Sequence, residues 1–160
     1  MFEESAVTTF SSVCMSTTKE EPLACGGEVK PFTAASALNV GDPVFLNSSA
    51  RVAKSGTAAD YVGFIGVVVG GAAMEDMCDF SEAAVGKPAC TAAGEKVWVA
   101  VSGIVYVVSS AALATIGARV GASASSGKVG ANTTAGQIFG VLLETADGAD
   151  EAVKVFLRYS

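Results

Sequence analysis

The chain has 160 residues, room for one domain with a substantial core. With 51% hydrophobic and only 16% charged residues it is not intrinsically disordered, a state that needs low hydrophobicity and high net charge. A net charge of −6 disfavours phosphate backbones and so a nucleic-acid role, and the absence of histidine removes Ser-His-Asp catalysis, histidine metal ligands and a histidine pH switch together.

Residues 1–32 read as an extended N-terminal arm. The stretch is rich in Ser, Thr and Glu, has two prolines and shows no clear period. Its start, Met1-Phe2-Glu3-Glu4-Ser5, is acidic and lacks the basic start and apolar run of a secretory signal. Scattered apolar residues, Phe2, Phe10 and Val13, are candidate interface anchors for an arm that reaches a neighbour and orders on binding.

Residues 33–160 read as a β domain with an internal repeat, 33–69 and 109–143. At an offset of 76, Thr33-Ala34-Ala35-Ser36 faces Ser109-Ser110-Ala111-Ala112, and Val40-Gly41-Asp42-Pro43-Val44 faces Ile116-Gly117-Ala118-Arg119-Val120. Arg51-Val52 then answers to Lys128-Val129, and Gly66-Val67-Val68-Val69 to Gly140-Val141-Leu142-Leu143. In each copy a Thr or Ser is expected to cap a short Ala-rich helical turn. A Gly turn, a polar hairpin and a buried β-branched strand follow. An alternating strand closes each copy, Val97–Val101 and Val153–Leu157. The first copy carries an insert, residues 70–96, with a short helix expected over Ala72–Phe80; the second has only Glu144–Ala152 in its place. The expected fold class is all-β, a small barrel or sandwich built from two similar β-rich halves.

The most apolar stretches, Tyr61–Met74 and Val97–Val108, fall short of a membrane-spanning helix, so no membrane role is expected and the protein reads as soluble and made in a cytoplasm. Cys14, Cys25, Cys78 and Cys90 form no C-x-x-C and read as free thiols; if any two pair, Cys78 and Cys90 are the pair.

The chemical motifs are near misses. Gly121–Lys128 has one residue too many between its glycines for a phosphate loop, and Val129 follows the lysine. Gly121-Ala122-Ser123-Ala124-Ser125 lacks the last glycine of a nucleophile elbow, and the two S-x-x-K matches lack their companion motifs. Glu144, Asp147, Asp150 and Glu151 do not follow a calcium-loop pattern and read as a solvated turn. The chain is therefore expected to have no catalytic, metal or cofactor site. The strands say more about surfaces. In the last one Phe156 shares a face with Lys154 and Arg158. By the repeat Ala100 matches Phe156 and Trp98 matches Lys154, so Trp98 and Phe156 are expected on one side of a sheet, as candidate interface residues or as a second core layer under the insert or arm.

In this order the elements resemble the capsid cement, or head-decoration, proteins of tailed bacteriophages. Those chains carry a hydrophobic-Gly-Asp-x-Val turn, a polar hairpin, a hydrophobic-Gly-hydrophobic strand and a closing Val-x-Val strand. Here these are Val40-Gly41-Asp42-Pro43-Val44-Phe45, Ile65-Gly66-Val67-Val68 and Val97-Trp98-Val99-Ala100-Val101. The second round is Ile116–Val120, Phe139-Gly140-Val141-Leu142 and Val153–Leu157, with Ala118 standing where the first has Asp42. The resemblance implies a non-enzymatic virion protein on the outer capsid surface, assembled in the host cytoplasm. It also implies a homotrimer that bridges copies of the major capsid protein. The alternative is another β-rich virion or adhesion module, such as a tail or fibre component.

Overall fold

Valines alternating with other residues, as in Val97-Trp98-Val99 and Val153-Lys154-Val155, favour a pleated backbone whose two faces meet different surroundings. A computed structural model describes residues 27–54, 63–75, 78–79, 81–123, 127–132 and 138–158. Its strands are β1 (Val29–Thr33), β2 (Leu38–Asn39), β3 (Pro43–Leu46), β4 (Val52–Lys54), β5 (Phe64–Gly71), β6 (Pro88–Cys90), β7 (Lys96–Ala100), β8 (Gly103–Val108), β9 (Arg119–Ala122), β10 (Val129–Ala131), β11 (Gly140–Leu142) and β12 (Ala152–Leu157). The protein is all-β and its sheets stay open, so of the two expected architectures it is the sandwich. Among the described residues no helix is long and apolar enough to cross a membrane.

The first five-stranded sheet has the order β1-β7-β5-β3-β4, the second β8-β12-β11-β9-β10, and β2 with β6 makes a short ribbon. Strand for strand, the two sheets have one topology. The register repeats as well. Val44 pairs with Gly66 and Val120 with Gly140; Val68 pairs with Val99 and Leu142 with Val155; Leu46 pairs with Val52 and Ala122 with Val129. The turn into β3 and β9 is the same turn. Gly41 and Gly117 take φ of +91° and +86°, which a side chain resists, and each donates its N–H at 2.8 Å, to Val68 O and Leu142 O.

Glycine recurs in β5 and β11 for a second reason. A Cβ on Gly66 would lie 2.1 Å from Ala100 O and 2.8 Å from a Val99 methyl. One on Gly140 would lie 2.9 Å from Phe156 O and 2.4 Å from a Val155 methyl. The neighbouring closing strand crosses too close for any side chain in both copies.

The Ala-rich segments are not helical turns. Ala34 bridges Val52 and Ser109 bridges Val129, both parallel. Ala35 N–H donates to Val52 O and Ser110 N–H to Val129 O, each at 2.8 Å, so these donors serve distant strands and not a helical ladder. Ser109 thus answers to Ala34, one residue along from the sequence alignment. The strand β1 begins at Val29, inside the segment read as arm, and residues 1–26 lie outside the described residues.

The helix expected over Ala72–Phe80 does not form in its described part. Ala72 N–H donates to Lys96 O, Ala73 N–H to Ala89 O and Asp79 N–H to Val69 O, again binding the segment to other strands. A short 3-10 turn, Glu82–Ala84, follows. The end of the insert belongs to the repeat. Leu38 pairs with Cys90 in the ribbon, and Leu113 bridges Ala146 in the second copy. Gly94 N–H then bonds Ala34 O and Asp150 N–H bonds Ser109 O, both at 2.9 Å and both residues at positive φ. Up to Lys87 the insert is particular to the first copy; beyond it, the two connections follow one course.

Two cores result. One lies on the front of the first sheet, where Val44, Val52, Val68, Val97 and Val99 meet Leu38 and Cys90 of the ribbon and Ala84 of the insert. The other joins the back of the first sheet (Val29, Val67, Trp98, Ala100) to the front of the second (Val120, Val129, Leu142, Val153, Val155). The copies therefore stack front on back, and the register equates Ala100 with Phe156 and Trp98 with Lys154. Trp98 and Phe156 do not share a sheet: they occupy the back faces of two different ones.

Candidate interface surface

That stacking leaves the back of the second sheet largely uncovered, apart from its end beside the insert, where Tyr106 is buried. Across it runs one cross-strand row, Arg119 on β9, Val141 on β11, Phe156 on β12 and Ile104 on β8, each the register partner of the next. In the first sheet the equivalent row is Pro43, Val67, Ala100 and Val29, all buried. In the second, Phe156 is 41% exposed, Arg119 is exposed, and Val141 and Ile104 are half-buried. Beside this row Leu143 is 37% exposed, and Lys154 Nζ lies 5.4 Å from the centre of the Tyr106 ring, a cation–π contact. Arg158 follows on the same face, and no acidic residue occupies a described back-face position on these strands.

Of the residues singled out from sequence, Phe156 is on this surface. Trp98 is not: it is 8% exposed and sits in the core between the sheets, because the second copy covers the back of the first. The second-layer reading applies instead to Val97 and Val99, whose face the ribbon and insert cover. Phe2, Phe10 and Val13 lie outside the described residues. Leu143, Ile104 and Arg119 were missed, since only the pairing register puts them beside Phe156.

One end of the open face becomes a groove of about 740 Å³, between Ser81, Glu82 and Val85 of the insert and Tyr106, Val108 and Ala152 of the sheet. Asp150 lines it and pairs with Lys128. The neighbouring acids hold a turn. Glu151 accepts the Asp147 N–H at 3.1 Å, as Glu95 accepts the Thr91 N–H at 2.7 Å in the first copy; the Thr91 N–H, with that of Ala92, holds the Glu95 carboxyl below its usual range. Among the described residues no three His, Cys, Asp or Glu side chains cluster as metal ligands.

Asp42 and Lys54 form an ion pair of 3.3 Å at the junction of the copies, within reach of Gly127 on the β9–β10 hairpin. Burial raises the Asp42 carboxyl above its usual range, and the Asn39 N–H at 2.8 Å and Lys54 pull the other way. Ala118 removes this pair from the second copy. Neither Cys78 nor Cys90 is in a disulfide; Cys90 is buried, its Sγ donates to Ser36 O at 3.5 Å, and burial pushes its thiol up toward the neutral, inert form.

No family model matches the chain, and no curated protein matches it. Among solved structures, the N base of the head fiber gp8.5 of bacteriophage phi29 is similar, with a TM-score of 0.49 and 13% identity over 81% of this chain and 92% of that one. A likeness at that level assigns no residue role.

Proposed function

We propose that this is a structural virion protein that decorates the outside of a phage head as a cement protein. In this reading it bridges major capsid subunits, acts as a homotrimer and carries out no catalysis. The supporting observation is the duplicated unit. The turn, hairpin, glycine strand and closing strand that carry the resemblance to head-decoration proteins recur twice in one register, with Gly41 and Gly117, and Gly66 and Gly140, at matching positions. Each copy thus uses the motif for the same structural purpose. A cement protein needs a rigid β body and a contact surface; repeated over a closed shell, weak single contacts add up to a large stabilisation.

The test is copy number in purified particles, measured by quantitative peptide mass spectrometry against the major shell protein. One copy per shell subunit, or a simple fraction of that, is expected. A few copies per particle would move the protein to the tail or a fibre, and absence from particles would overturn a virion role. Sedimentation of the free protein tests the trimer.

A further inference from the structure

The open back of the second sheet pairs a large apolar area with three cations, Arg119, Lys154 and Arg158, in a chain of net charge −6. Its counterpart in the first sheet is covered by the next unit of the chain. Among the described residues no further unit is stacked on this one. A second molecule's front face is not free to do so, because ribbon and insert occupy it. Two open faces set against each other would oppose three cations to three, a like-charge contact.

We propose that residues 1–26 of the same chain cover this face. Three observations point to them. The segment is acidic, with Glu3, Glu4, Glu20 and Glu21 against Lys19, and so complements the cations of the face. It carries apolar side chains, Phe2, Phe10 and Val13 among them, suited to Phe156, Leu143 and Val141. And it joins the fold at the right place. Gly27 lies against Ser102 O, Glu28 N–H donates to Ser102 Oγ at 3.0 Å, and two residues on Ile104 pairs with Phe156. Twenty-six residues extend to about 85 Å, and five strands span roughly 20 Å, so the segment can cross the face and return. The inference rests on the fold alone and is independent of a place on a phage head.

The experiment uses the full chain with one nitroxide on Cys14, and Cys25, Cys78 and Cys90 replaced by alanine. Methyl spectra report Ile104, Val141 and Leu143, and the chemically reduced label reports that the protein is folded. Loss of most of these three signals is expected, while methyls of the front core, such as Val44 and Val68, keep theirs. The loss should disappear in Phe156→Glu and shrink in Arg119→Glu. Unaffected signals in the parent protein would overturn the proposal. So would equal loss in a mixture where spin label and isotope label sit on different molecules, since the segment would then cover a neighbour. Loss that survives Phe156→Glu would place the segment elsewhere and overturn it too.

Discussion

The two sheets share one topology and one register, yet their back faces meet opposite fates. Val67, Trp98 and Ala100 of the first are buried against the second copy, whereas Val141, Lys154 and Phe156 of the second face outward. The fronts differ less: both are buried, one under the ribbon and insert, one under the first sheet. A duplicated unit thus makes one interface with itself and leaves one face for something else. The side chains follow that division, with Trp and Ala where the face is closed and Lys and Phe where it is open.

Swapping positions that match by register tests this division most directly. Trp98→Ala should cost about 3–5 kcal/mol, and Lys154→Ala at the matching position about 0.5 kcal/mol, read from urea unfolding midpoints. Equal costs would mean that the two backs are not differently covered. Ala100→Phe, which puts the second copy's residue into the first, should cost about 3 kcal/mol through overpacking, against about 1 kcal/mol for Phe156→Ala. The glycines sharpen the comparison. Gly66→Ala meets Ala100 O at 2.1 Å, and Gly140→Ala meets a methyl of the fully buried Val155 at 2.4 Å and Phe156 O at 2.9 Å, so each should cost about 2 kcal/mol or more; a cost at one position only would show that the close crossing is not shared by the two copies.

The smallest effect separates the copies by pH. Burial raises the folded-state pKa of Asp42, so its protonated form is favoured on folding. That contribution is complete below the unfolded value of about 3.8 and is lost as pH rises through the folded one. Relative to Asp42→Asn, the parent protein should therefore gain stability as pH falls into the carboxylate range. A pH-independent gap between the two would show that desolvation does not dominate at this site. The second copy, with Ala118, has no counterpart to titrate.

Much of the fold was legible because its constraints are local. Gly41 and Gly117 mark a turn that needs positive φ, and the alternating closing strands mark themselves by period. The Ala-rich helical turns and the helix over Ala72–Phe80 were misread for one shared reason. Alanine has high helix propensity, but the N–H groups of Ala35, Ala72, Ala73 and Ser110 are claimed by strands far away in sequence. The surface was half legible. Phe156 stood out among Lys154 and Arg158, while Arg119, Val141 and Ile104 join it only through pairing across four strands.

The sequence by itself determined the β class, the duplication and the positions of its turns, because period, glycine and β-branching act within a few residues. Whether a strand's second face is core or surface was decided only by the tertiary structure. Trp98 and Phe156 sit on equivalent faces, and neither residue's neighbours in sequence reveal which face the other copy will cover. Burial is a property of the stacked sheets, fixed by long-range contacts that no local pattern encodes.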